Sequence, residues 1–187
     1  MTIQTRAWTL PMIAVAGVAL LTACGPSAPT AGDKLKRGEY LVAVGSCADC
    51  HTPGVMLGKP EMDKLFSGGN VGFQVPELGV HFPPNLTPDK ETGLGNWSDE
   101  DIAKAIRTGV RPDGRQLSPV MPYGWYAKLT DEDALAMAAF LKSLAPISNK
   151  VPGPFGPSET PTAPYETVVF PQAAPAAPET APATPPQ

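Results

Sequence analysis

Five consecutive residues, Cys47-Ala48-Asp49-Cys50-His51, set two thiols three positions apart with an imidazole directly after them. At the end of a helix, thiols at this spacing reach the two vinyl groups on one edge of a porphyrin, and the adjacent imidazole swings under the ring to the iron. The pattern is that of covalent c-type haem attachment, with Cys47 and Cys50 bonding the macrocycle and His51 binding iron. Other chemistries fit less well. A Cys47–Cys50 disulfide needs an oxidising compartment, and a thioredoxin-like redox pair wants a βαβ setting that the sequence pattern lacks. A zinc site needs four ligands, and His81 is the one further histidine in the chain.

Iron held by one histidine has a second axial position, which histidine or methionine fills in electron-transfer haems. His81, Met56, Met62, Met121 and Met137 are the candidates. Met56 follows His51 too closely to cross to the opposite face of a haem. Met137 shares a helical apolar pattern with Leu141 and reads as core; Met62, in a polar stretch, reads as surface. Met121 lies in Ser118-Pro119-Val120-Met121-Pro122-Tyr123, where two prolines stiffen the backbone, and rigid placement is what a weak thioether ligand requires. Met121 leads, with His81 its rival.

Helices must position these groups. Residues 33–44 put Leu35, Gly38, Leu41 and Val42 along one face. Trp97-Ser98-Asp99-Glu100-Asp101-Ile102 reads as a helix start, with Ser98 capping and three acids at the positive end of the macrodipole; that helix should stop near Gly109. The same grammar returns at Leu129-Thr130-Asp131-Glu132-Asp133, followed by Leu135, Ala138, Leu141 and Leu144 at helical spacing and then Pro146. The stretches 67–88 and 108–124 are rich in Gly and Pro with almost no alternation. Connections of that length are predicted to be held by a large apolar cofactor and not by a sheet. Phe66, Phe82, Trp125 and Tyr126 are expected either to wall it off or to pack as ordinary core, and Arg107, Arg111 and Arg115 are candidates to pair with haem propionates, with at least one of them expected at the surface.

Composition draws the outer boundaries. Residues 1–23 read as a secretory signal: Arg6 is the basic region, Trp8 to Leu21 the apolar run, and Leu21-Thr22-Ala23-Cys24 a small-residue cleavage site. The apolar run is short of the about 20 residues that a bilayer span needs. Residues 24–32 form a linker and 33–148 one compact domain. In 149–187, 11 of 39 residues are proline, so this tail is expected to be a disordered, extended coil with Thr167-Val168-Val169-Phe170 as its docking point. Once the signal is removed, 13 Lys and Arg face 18 Asp and Glu, a formal −5. That balance argues against a nucleic-acid binder and for partners with a basic docking surface.

Taken in order, Asn85-Leu86-Thr87-Pro88-Asp89, Thr92-Gly93-Leu94-Gly95, Trp97 to Ile102, Asp113-Gly114-Arg115, Met121-Pro122-Tyr123 and Leu141-Lys142-Ser143-Leu144 resemble a haem module of class I cytochromes c. More narrowly, they are similar to modules in the cytochrome subunits of bacterial membrane-bound alcohol, sorbitol and gluconate-type dehydrogenases. The resemblance covers about Lys36 to Pro157. It implies an all-α fold of three to five short helices around one covalent haem c, with His51 and Met121 as axial ligands. It also implies that the first helix crosses the last at a small residue, for which Gly38 is well placed, and that a backbone carbonyl from Phe82 to Asn85 orients His51. Such subunits usually carry three haem modules in series, and this chain has one C-x-x-C-H. The family's lipoproteins further make Leu21-Thr22-Ala23-Cys24 look like a lipobox, with Cys24 acylated and the domain tethered on the periplasmic side of a bacterial membrane.

The expectation is an electron carrier passing single electrons between a dehydrogenase and an oxidase or another cytochrome. Two alternatives from other classes stand beside it. One is a haem enzyme or a gas or peroxide sensor whose Met121 ligand dissociates; the other is a structural envelope lipoprotein acting through its Pro-rich tail.

Overall fold

The computed structural model describes residues 30–169. The expected signal, Cys24 and the chain beyond Val169 lie outside the described residues. The first helix, α1 (Ala31–Val44), begins two residues before the expected Asp33 because Thr30 starts it. The Thr30 hydroxyl accepts the Asp33 N–H at 3.2 Å and the Asp33 carboxylate takes the Thr30 N–H at 3.0 Å, so two otherwise orphaned donors are satisfied reciprocally. After a tight turn comes the single-turn helix α2 (Cys47–His51). The helix α3 (Asp99–Thr108) carries the same capping box between Ser98 and Asp101 and stops where Gly109 turns left-handed, φ +72°. A short α4 (Tyr123–Tyr126) precedes α5 (Asp131–Ser143), which Thr130 caps through the Asp133 N–H.

Helices α1 and α5 cross at Gly38, where an added β-carbon would overlap the Ala136 carbonyl and lie 2.8 Å from Phe140 Cβ. Glycine there lets the two backbones approach closely. Val42, Ile102, Ile106, Met137, Ala138 and Leu141 then form the core together with Phe66 and Leu94. Each buried aliphatic or aromatic side chain contributes about 1.5–3 kcal/mol of transfer free energy. Met137 is core and Met62 is exposed, as their sequence settings predict. An ion pair closes the crossing from outside, Arg37 Nε to Asp133 at 2.8 Å, and a second, Lys34 Nζ to Asp99 at 3.8 Å, ties α1 to α3.

A small sheet departs from the all-α expectation. Strands β1 (Gly72–Val75) and β2 (Gly79–His81) form an antiparallel hairpin in which Phe73 faces His81 and Val75 faces Gly79. A two-residue β3 (Tyr165–Glu166) pairs parallel to β1, giving the order β2-β1-β3. Strands this short, with glycine in both hairpin arms, leave no alternating pattern to read.

The chain after Asn149 also departs from a free coil. Asn149 Nδ2 donates to Ser67 O at 2.9 Å, and Phe155 exchanges two main-chain hydrogen bonds with Val80. Of the expected docking point, Val168 and Val169 are exposed and Phe170 lies outside the described residues, while Asn149, Val151, Phe155, Tyr165 and Glu166 make contacts.

Candidate functional site

Between α1 and α2 the backbone reverses at Gly45 and Ser46, the latter at φ +51°. Tyr126 braces this turn by donating its hydroxyl to Gly45 O at 2.8 Å. The turn aims Cys47, Cys50 and His51 at a cavity of about 680 Å³. Both cysteines are free thiols, so the disulfide alternative is not formed. Burial pushes the Cys47 thiol up to about 11 and raises that of Cys50, which keeps both in the thiol form at neutral pH.

His51 is buried and its Nδ1 lies 2.7 Å from Pro84 O. A carbonyl can only accept, so Nδ1 carries the proton and the lone pair of the neutral ring sits on Nε2, the tautomer a metal needs. Burial holds the imidazolium form down, against a smaller opposing effect of the Pro84 bond. The ring's own segment is anchored at both ends, by Gly68 N–H to His51 O at 2.8 Å and by Phe66 N–H to Thr52 Oγ1 at 3.1 Å.

Met121 lines the same cavity. Its loop is set by Met121 N–H to Ser118 O at 3.0 Å and by Tyr123 N–H to Met121 O at 2.8 Å. His81 also lines the cavity, but its Nε2 is enclosed by protein without a hydrogen-bond partner. Met56, Met62 and Met137 are not among the lining residues.

The rest of the lining mixes apolar and polar groups. Phe82, Leu86, Leu94, Ile102, Leu141 and Tyr126 supply much of the apolar surface, while Lys90, Arg111 and Arg115 bring positive charge and Asp49 and Glu91 negative charge. Arg111 stacks over Trp97 with its guanidinium carbon 5.0 Å from the ring centre. Of the three arginines considered from sequence, Arg107 pairs with Asp131 and is not among the lining residues, Arg111 lines the cavity and pairs with Asp113 at 3.4 Å, and Arg115 lines the cavity. Trp125, at 79% exposed, is neither wall nor core, and Phe66 takes the core alternative, edge-on to Phe140.

Sequence reasoning missed Phe73, the Tyr126 brace and the wall made by residues 151–154. Phe155, a lone aromatic among prolines and glycines, was the one available signal for that wall. Among the described residues there is no cluster of three or more His, Cys, Asp or Glu that could hold a separate metal ion.

A cavity with this much apolar lining and three cationic side chains, Lys90, Arg111 and Arg115, suits a flat apolar ring bearing two carboxylates, and its volume falls in the range of cofactor pockets. Two thiols and a correctly protonated imidazole open onto it, so the residues present fit a c-type haem. The site defines a haem-binding domain of short helices. A sequence model of the cytochrome c family matches residues 35–145, and the chain belongs to that family. Membership implies a covalently bound haem c.

Over 121 residues the chain is 40% identical to the alcohol dehydrogenase (quinone) cytochrome c subunit of Gluconobacter oxydans, a stretch covering 63% of this chain and 23% of that one. It is 43% identical over 115 residues to the gluconate 2-dehydrogenase cytochrome c subunit of Pantoea cypripedii, covering 61% and 24% respectively. With the fructose dehydrogenase cytochrome subunit of Gluconobacter japonicus it shares 38% identity over 120 residues, covering 62% and 23%. The matched stretch thus spans about a quarter of the length of these relatives. No helix among the described residues is long and apolar enough to cross a membrane.

Proposed function

We propose that this chain is a periplasmic, lipid-anchored class I cytochrome c with a single haem, carrying electrons one at a time between a dehydrogenase and the respiratory chain. The observation that carries the reading is the pairing of His51, held by Pro84 with Nε2 free, and Met121 on one cavity. Cys47 and Cys50 would form the thioethers, and His51 Nε2 and Met121 Sδ the two axial bonds. When bound, haem c supplies reversible Fe(III)/Fe(II) exchange, and methionine ligation raises its potential.

The protein's part is positional and electrostatic. Pro84 O holds the imidazole in one tautomer and one orientation. Phe82, Leu94, Ile102 and Leu141 keep water from the ring. Arg111 and Arg115, both on the cavity, would be the residues to pair with propionates. Iron held by both His51 and Met121 would leave no place for a substrate, which supports electron transfer over enzymatic or sensory chemistry. Dehydrogenase partners are supported by the names of the relatives, and the anchor by Leu21-Thr22-Ala23-Cys24.

The test is the absorption spectrum of the protein made in a host that attaches haem, in both oxidation states, for wild type and Met121→Ala. A low-spin c-type spectrum with the near-infrared sulfur-to-iron band, lost in the variant, is expected. A high-spin wild type, or a band that survives the substitution, would remove Met121 from the iron and bring the enzyme or sensor reading forward.

A further inference from the structure

The family match ends at residue 145, yet the cavity wall continues beyond it. Val151, Pro152, Gly153 and Pro154 line the cavity beside Phe82 and Pro83. None of the four carries a polar side chain, and the two prolines remove main-chain donors, so the stretch presents few polar groups to an apolar slot.

The next residues pin it in place. Phe155 N–H donates to Val80 O and Val80 N–H to Phe155 O, each at 2.9 Å, and the Phe155 ring meets Phe82 edge-on at 6.1 Å. Gly79, at φ +92°, lies so near that a β-carbon there would overlap the Phe155 carbonyl. Further on, Tyr165 and Glu166 pair with Gly72 and Phe73 on the opposite edge of the hairpin. One segment therefore grips the hairpin at both edges, β2 through Phe155 and β1 through Tyr165 and Glu166.

We infer that residues 151–155, beyond the matched residues 35–145, form a strap that closes one wall of the haem site and keeps the cofactor's potential high by excluding water. Phe155 is its positioning residue. The inference rests on the reading of the cavity as a haem site. Its physical basis is that exposing haem to water favours the more highly charged ferric state, so removing an apolar wall lowers the potential.

Three haem-loaded proteins decide it: the full chain, a chain ending at Val169 that keeps the strap, and a chain ending at Lys150 that lacks it. The first two are expected to share one reduction potential and the third to fall below both. Hydrogen exchange at the Val80 N–H should quicken at least tenfold in the third, because its acceptor is gone. An unchanged potential in the chain ending at Lys150 overturns the inference. So does an equal fall in the chain ending at Val169, which would assign the effect to residues beyond the strap. If the shorter chain does not retain haem, Phe155→Ala in the full chain decides: a smaller fall is expected, and no fall overturns the strap. A wild-type protein without a c-type spectrum would instead overturn the haem reading itself.

Discussion

The α-carbon of Gly38 on α1 faces the carbonyl oxygen of Ala136 on α5 so closely that one added methyl would overlap it. Two effects of Gly38→Ala oppose each other. Helix propensity favours alanine by up to about 1 kcal/mol. Overlap with backbone, which cannot swing aside as a side chain could, costs about 1–3 kcal/mol or more. Overlap should win, so thermal denaturation of Gly38→Ala is expected at a lower temperature than wild type. A higher midpoint would mean that the helices cross less closely than described.

Asn85 joins the loop that holds His51 to the chain after α5. Its Nδ2 donates to Ile147 O at 2.7 Å and Thr92 Oγ1 at 2.9 Å, while Oδ1 accepts from Thr87 N–H at 2.9 Å and its hydroxyl at 2.8 Å. Asn85→Ala should cost about 2–4 kcal/mol in chemical denaturation, because it strands several buried partners at once. A cost below about 1 kcal/mol would show that water or a shifted loop replaces them.

The acid limb of stability should report one ion pair. The Arg37 guanidinium holds the Asp133 carboxyl below the usual carboxylate range. A depressed folded-state value gives stability that is complete above the unfolded value near 3.9 and is lost as pH falls through the folded one. Asp133→Asn is therefore expected to lose about 0.5–1 kcal/mol at neutral pH and to match wild type near pH 2. A constant difference across that window would place the effect in packing or capping and not in charge.

Membrane attachment can be checked at the proposed lipid site. Wild type should sediment with membranes and Cys24→Ser should be recovered in the soluble fraction with its haem spectrum intact. Wild-type protein found soluble would rule out the anchor.

What the sequence disclosed depended on whether side chains carry the interaction. Whereas the Gly38 crossing followed from the family resemblance, the capping at Ser98, the Gly109 stop and the core role of Met137 all rest on particular side chains or on the lack of one, and each was legible. Cys47, Cys50 and His51 were legible for the same reason, and Pro84 proved to be the residue in the expected stretch whose carbonyl meets His51. The hairpin, β3 and the Phe155 bridge were not, because main-chain groups make those bonds in strands of two to four residues. Trp125 shows the opposite failure: its type suggests burial, but the short α4 turns it outward.

Chain order gives the C-terminal grip on the hairpin a temporal meaning. A chain threaded N-terminus first delivers Cys47, Cys50 and His51 while Met121, α5 and residues 151–155 have yet to arrive. Machinery that bonds a cofactor to the two thiols would meet them on an open single-turn helix, with the enclosing walls still unmade. The pairing of Glu166 with Phe73 comes last of all, joining a residue near the end of the described chain to one laid down long before. The order of the sequence thus places the two thiols and His51 ahead of Met121, α5 and residues 151–154, so the walls those later residues supply cannot form until the chain carrying them is present.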